Sequence, residues 1–120
     1  MRIGTLARRS EVSASRIRFY EAHGLLPKAD RSDNGYRDYA DSIVDTLRLI
    51  DGAQSLGFSL GEIRAGLAQA GANLPSKHDM LGALRNKLTS LDQHIEEVTL
   101  RRQRIVDLIE KLEDECRQIK

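Results

Sequence analysis

The chain has 120 residues, and 19 Lys and Arg oppose 18 Asp and Glu for a formal net charge of +1. A hydrophobic content of 40% at near-zero charge excludes a disordered chain, and no apolar run reaches the roughly 18 residues of a membrane span. The single cysteine, Cys116, excludes an internal disulfide and a multi-thiolate metal cage, while the polar start, with no signal-peptide core, predicts a cytoplasmic protein.

Taken as an average, the charge argues against a generic nucleic-acid binder, but the layout is uneven. All five aromatics (Phe19, Tyr20, Tyr36, Tyr39 and Phe58) lie in the first half, and no glycine follows Gly82. Residues 1–40 hold eight basic and five acidic residues, a local balance of +3. The spacing predicts a compact head over residues 1–71 and a helical tail over 72–120. Gly71 and Pro75 punctuate the junction.

A first short helix is predicted over about Gly4–Arg9, with Ile3, Leu6 and Ala7 on its apolar side. Ser10-Glu11-Val12 breaks it. Ser13 is a good N-cap for a second helix running to about His23, where Gly24 stops it. Two short helices joined by a tight turn have the layout of a helix-turn-helix, whose second helix enters the major groove. On that helix Ser15, Arg16, Arg18 and Tyr20 offer donors to bases and phosphates, while Val12 and Ile17 face the first helix. An ordinary amphipathic helix with solvated arginines fits the same residues.

Asn34-Gly35 is a two-residue hairpin signal. Arg31, Tyr36, Arg37 and Tyr39 flank it, which suggests a basic wing along the phosphate backbone; a structural hairpin with core tyrosines is the alternative. A third helix follows over about Asp41–Leu56, with Ile43, Leu47, Ile50 and Ala53 on one face. Ser59 and Glu62 form a capping box for a fourth helix to about Ala70. The corner at Gln54–Ser59 is a candidate second, smaller wing.

Several dispersed motifs now stand in register. Ile3-Gly4-x-Leu6-Ala7, Val12-Ser13-x-x-x-Ile17-Arg18-Phe19-Tyr20-Glu21-x-x-Gly24-Leu25-Leu26, Arg31-x-x-x-Gly35-Tyr36-Arg37-x-Tyr39 and Leu56-Gly57-Phe58-Ser59-Leu60-x-Glu62-Ile63 together resemble the start of MerR-type transcriptional regulators. The resemblance covers about 70 residues strongly and the tail more loosely. It implies a mainly α protein, a winged helix-turn-helix head followed by a long dimerising coiled-coil helix. It points to Ser15, Arg16, Arg18, Tyr20, Arg31, Asn34, Tyr36, Arg37 and Tyr39 as DNA-binding residues. It also implies a homodimer that reads an inverted repeat in a promoter, bends and untwists the spacer, and so controls initiation by RNA polymerase.

The tail carries its own signal. Leu81, Leu84, Leu88, Leu91, Ile95 and Val98 recur in steps of three and four. After Arg102 the series resumes with Ile105, Ile109, Leu112, Cys116 and Ile119. Such a seam predicts a coiled coil over about Lys77–Arg117, preceded by a cap at Ser76. A helix of that length cannot bury its seam on a small head, so a second copy is expected. The resemblance implies that the two helices run antiparallel. Glu97 with Arg101, Asp107 with Lys111 and Glu113 with Arg117 are supporting pairs four residues apart. Arg102 interrupts the seam, and a side chain that snorkels outward is preferred over a register-setting polar position.

No cofactor and no metal site is expected. Metal sensors of the family carry cysteines around the ends of the dimer helix, whereas Ser76-Lys77-His78-Asp79 stands at its start here. Neither a metal-binding loop nor an added drug-binding domain is expected. His23, His78 and His94 are scattered and read as surface residues. Cys116 reads as a small seam hydrophobe, with a redox or electrophile switch as the alternative. No catalytic constellation appears, so an enzyme is not expected. An architectural, excisionase-like DNA-bending protein is the rival within DNA binding.

Overall fold

A computed structural model describes the chain except residues 28, 32–34, 72–73 and 119–120; of Asp30 and Arg31 it describes the backbone only. The contacts divide the chain into two units, Met1–Ser76 and Lys77–Lys120. No helix among the described residues is long and apolar enough to cross a membrane.

The first unit opens with α1, Ile3–Ser10. Glu11 ends it in the left-handed region at φ 62°. The buried Ser10 Oγ accepts the Val12 N–H at 3.3 Å, which fixes the turn. α2 spans Ala14–Ala22, and its cap is the predicted one: Ser13 Oγ accepts the Arg16 N–H at 3.2 Å. The helix ends one residue short of His23, and Gly24 turns the chain at φ 76°. A positive φ there suits glycine because no Cβ meets the backbone.

Two short strands follow, β1 at Asp30–Arg31 and β2 at Arg37–Asp38. They pair antiparallel, with Asp30 opposite Asp38 and Arg31 opposite Arg37. This register corrects the expected two-residue turn. A loop consisting only of Asn34-Gly35 sets Asp30 opposite Tyr39, one position further on. Tyr39 is already taken: its N–H donates to the Met1 carbonyl at 2.7 Å, and the Met1 amino group donates to the Tyr39 carbonyl at 2.6 Å. Backbone groups committed elsewhere cannot extend the hairpin. Asn34 itself lies outside the described residues.

α3, Ile43–Ser55, starts two residues later than expected. The corner after it, the candidate second wing, is a helix-to-helix turn. The Phe58 N–H donates to the Ala53 carbonyl at 3.1 Å, and Gly57 adopts φ 95°. α4, Leu60–Ala70, carries the full capping box between Ser59 and Glu62. α1 packs on α2 and α3, and α3 packs on α4. The core gathers Leu6, Val12, Ile17, Tyr20, Leu25, Leu26, Tyr39, Val44, Leu47, Ile50 and Ile63.

The second unit is one helix, α5, Lys77–Gln118, 42 residues long. None of its residues is buried. Leu81, Leu84, Leu88, Leu91, Ile95, Val98, Ile105, Ile109 and Leu112 are 43–62% exposed, all on the predicted seam. Leu100 and Leu108 lie off that seam and are exposed as well.

Candidate nucleic-acid interface

The outer face of α2 is polar and basic. Its inner positions, Ile17 and Tyr20, are fully buried, three residues apart as one helix face requires. That phase leaves Ser15, Arg16, Arg18 and Phe19 exposed. Ser15 Oγ lies 3.3 Å from Ser13 Oγ. Arg16 reaches across to α3, where its Nη1 donates to Asp51 Oδ1 at 2.9 Å. Arg18 is exposed and has no ion-pair partner among the described residues.

Tyr20 differs from these neighbours, because its ring fills the core. Its hydroxyl donates to Gln54 Oε1 at 2.7 Å and lies 3.4 Å from Asp51 Oδ1. Burial pushes this phenol above its ordinary value, and Asp51 adds to the rise while Arg16 opposes it. One face of α2 is thus stapled to α3 through a single polar cluster, Arg16–Asp51–Tyr20–Gln54.

A second cluster joins α2 to the wing. Glu21 is only 8% exposed at its side chain. Its Oε1 accepts the Ala29 N–H at 3.0 Å, and its Oε2 accepts from Arg37 Nη1 and from the Tyr39 hydroxyl, both at 2.9 Å. Tyr39 is buried. Desolvation raises its phenol, the Arg37 bond lowers it and Glu21 raises it again. Tyr36 stays exposed, with the Arg2 guanidinium 4.3 Å above its ring centre.

The predicted residues therefore fall into three groups. Ser15, Arg16 and Arg18 share the exposed face of α2, and Tyr36 and Arg37 are exposed beside the hairpin. Tyr20 and Tyr39 are core residues whose hydroxyls face partners inside the head. Asn34 and the side chain of Arg31 lie outside the described residues; the Arg31 backbone pairs with Arg37.

Sequence reasoning missed Glu21, Asp51, Gln54 and Phe19. Phe19 is 42% exposed, its ring 4.0 Å from that of His23. The helical period was the available signal, since a large aromatic one step from the buried Tyr20 must point outward. Asp51 and Gln54 lie three apart on α3 but pair with α2 across the fold, a contact that spacing alone does not reveal.

The profile described as "MerR HTH family regulatory protein" matches residues 1–70, and "MerR, DNA binding" matches residues 44–108. The chain belongs to the MerR family. It is thus a member of a family of DNA-binding transcriptional regulators rather than of enzymes. The HTH-type transcriptional regulator HmrR of Rhizobium leguminosarum bv. viciae is 37% identical over 109 residues, 91% of this chain and 84% of the relative. The mercuric resistance operon regulatory protein of Bacillus cereus is 34% identical over 110 residues, 92% of this chain and 83% of the relative. Among solved structures, the transcription regulator PbrR691 of Ralstonia metallidurans CH34 in complex with lead(II) superposes with a TM-score of 0.73. It shares 25% identity, covering 90% of this chain and 84% of that one. HiNmlR, a MerR family regulator lacking the sensor domain and bound to promoter DNA, gives 0.63 at 24% identity, covering 82% and 75%. These likenesses agree with the predicted fold class, a mainly α winged helix-turn-helix head and a long helix.

Proposed function

We propose that this MerR-family regulator binds an inverted-repeat promoter site as a homodimer and distorts the spacer to control initiation by RNA polymerase. The observation that carries the reading is the outer face of α2. Ser15, Arg16 and Arg18 are exposed there, on a helix locked to the head through Tyr20 and Glu21. Residues 1–71 serve as the DNA-binding unit and residues 72–120 as the dimerisation unit. Arg18 and Arg16 read or grip the major groove, and Ser15 donates at its edge. Tyr36, Arg37, Arg31 and Asn34 follow the backbone from the wing. Tyr20 and Tyr39 act from within, holding the helix and the wing at a fixed angle. Bending a site costs on the order of 1–6 kcal/mol, and contacts from two linked heads offset it.

The lead(II) complex and the mercuric name belong to those relatives. This chain offers one cysteine, and soft-metal sensing requires several soft ligands.

Selection of binding sites from random duplex DNA tests the reading. The expected product is a two-half inverted repeat at fixed spacing; enrichment of a single half-site, or of none, contradicts it. On the selected site Arg18→Ala costs about 1–3 kcal/mol at one base position. Arg37→Ala weakens all sequences alike and lowers the salt slope. Equal effects of both variants on specific and random DNA refute this division of roles.

A further inference from the structure

We infer that Asp51 is a positioning residue for DNA recognition. By pairing with Arg16 it withholds that guanidinium from sequence-independent contact with phosphates, and so raises the preference of the head for its own site over random duplex. The inference rests on the DNA-binding reading of α2 above and adds a residue of α3 to it.

The two arginines on the outer face of α2 stand in different states. Both are exposed, but Arg18 has no ion-pair partner among the described residues, whereas Arg16 Nη1 donates to Asp51 Oδ1 at 2.9 Å. Sequence-independent affinity comes from cations that replace condensed counterions at phosphates. Arg18 brings a full charge to that exchange. Arg16 brings less, because it must surrender one attraction to gain the other. Arg37 is paired as well, but its carboxylate, Glu21, divides its charge among Arg37, the Ala29 N–H and the Tyr39 hydroxyl. Among the described residues, the Asp51 carboxylate has one contact below 3 Å, the one from Arg16.

Asp51 is itself held in place. Its Oδ1 lies 3.4 Å from the hydroxyl of Tyr20, whose ring is buried and whose proton goes to Gln54 Oε1 at 2.7 Å. The carboxylate therefore marks a fixed point beside the recognition helix. A guanidinium has five N–H donors, and this pair uses one of them. Arg16 also lines an open depression on the same face, together with Ser13, Ser15, Phe19 and Gln54. A base edge presented there meets an arginine already placed, whereas a phosphate elsewhere must draw it away. The pair is half exposed, and exposed pairs shift an equilibrium by at most about fivefold. Asp51 is accordingly a bias on Arg16 and not a lock.

The test titrates the full chain with two duplexes across a range of salt: the selected site, and a random sequence of the same length. Asp51→Asn keeps a neutral acceptor for Arg16, and Asp51→Ala removes it. Both should raise affinity for random duplex, by up to about fivefold per head at low salt. The slope of log affinity against log salt should steepen by about 0.9 for each head that gains one phosphate contact. Affinity for the selected site should change less than about twofold, because Arg16 stays paired there, so the specific-to-random ratio falls. If Asp51 is only a staple between α2 and α3, its loss weakens binding to both duplexes with no steeper slope, and that result overturns the inference. In an Arg16→Ala background Asp51→Asn supplies no cation for a phosphate, so the slope should stay as it is. Equal steepening in both backgrounds reports relief of carboxylate repulsion alone and also overturns the inference. So does an unchanged slope or ratio in a protein whose selected site is still weakened by Arg18→Ala. Absence of binding to either duplex by the unmodified chain overturns the DNA-binding reading itself.

Discussion

Glu21 is the residue on which the head's geometry turns. A carboxylate that is 8% exposed needs its acceptor capacity filled, and three donors from the wing side fill it. Tyr39→Phe removes one charge-assisted bond and should cost about 1.5–3 kcal/mol, whereas Tyr20→Phe removes a bond to a neutral amide and should cost about 1 kcal/mol. Tyr36→Phe should cost almost nothing, because that ring is exposed. Urea denaturation at fixed protein concentration measures all three, and equal losses refute the assignment. Both buried phenols titrate above their ordinary value of 10.0. A raised pKa in the folded state means that the folded protein holds the proton more tightly. Their contribution is therefore complete below pH 10 and is lost as pH rises through the raised values. Stability should fall above pH 10, and the double Tyr20→Phe, Tyr39→Phe variant should flatten that fall. The sequence made these tyrosines look like phosphate donors because basic residues surround them. The helical phase of Tyr20 with Ile17 is local, but the contacts of Tyr20 with Gln54 and of Tyr39 with Glu21 lie outside any local pattern.

At the scale of elements, legibility followed the range of the interactions. The Ser13 cap, the Ser59–Glu62 capping box and the 42-residue α5 were all readable, because each depends on residues within a few positions. The hairpin register was not. Asn34-Gly35 is a strong local turn signal, but Tyr39 is bonded to Met1, 38 residues away in sequence, and that contact decides the pairing. The corner offered as a second, smaller wing is a helix junction, closed by Gly57 and by the Phe58 bond to Ala53. The locally determined caps give a clean prediction. Ser59→Ala removes both the acceptor for the Glu62 N–H and the reciprocal geometry of the box, and should cost about 1 kcal/mol. Thermal unfolding detects it as a downward shift, and an unchanged midpoint refutes the cap's contribution.

At the scale of the whole molecule, the proposed homodimer makes dimerisation and DNA affinity one coupled quantity. Nine seam residues of α5 are each 43–62% exposed. Completing the burial of one such side chain contributes about 1 kcal/mol, half the value of a fully buried leucine. The sum offsets the cost of association only when the seam closes along its length. A charge at the middle of one half of the seam should therefore dissociate the pair. In Leu91→Glu a carboxylate replaces an apolar seam side chain in each of the two copies. The expected mass is that of one chain, 13.5 kDa. The loss should extend to DNA. Two linked heads hold the second half-site at an effective concentration in the millimolar range, so losing the link lowers affinity for a two-half operator at least about 100-fold. Affinity for an isolated half-site should stay within about threefold, because the residue is on α5, outside the head that makes the contacts. Titration of both duplexes against both proteins measures the two effects together. If Leu91→Glu is monomeric yet binds the full operator as tightly as the unmodified chain, each head acts alone and α5 has no part in recognition.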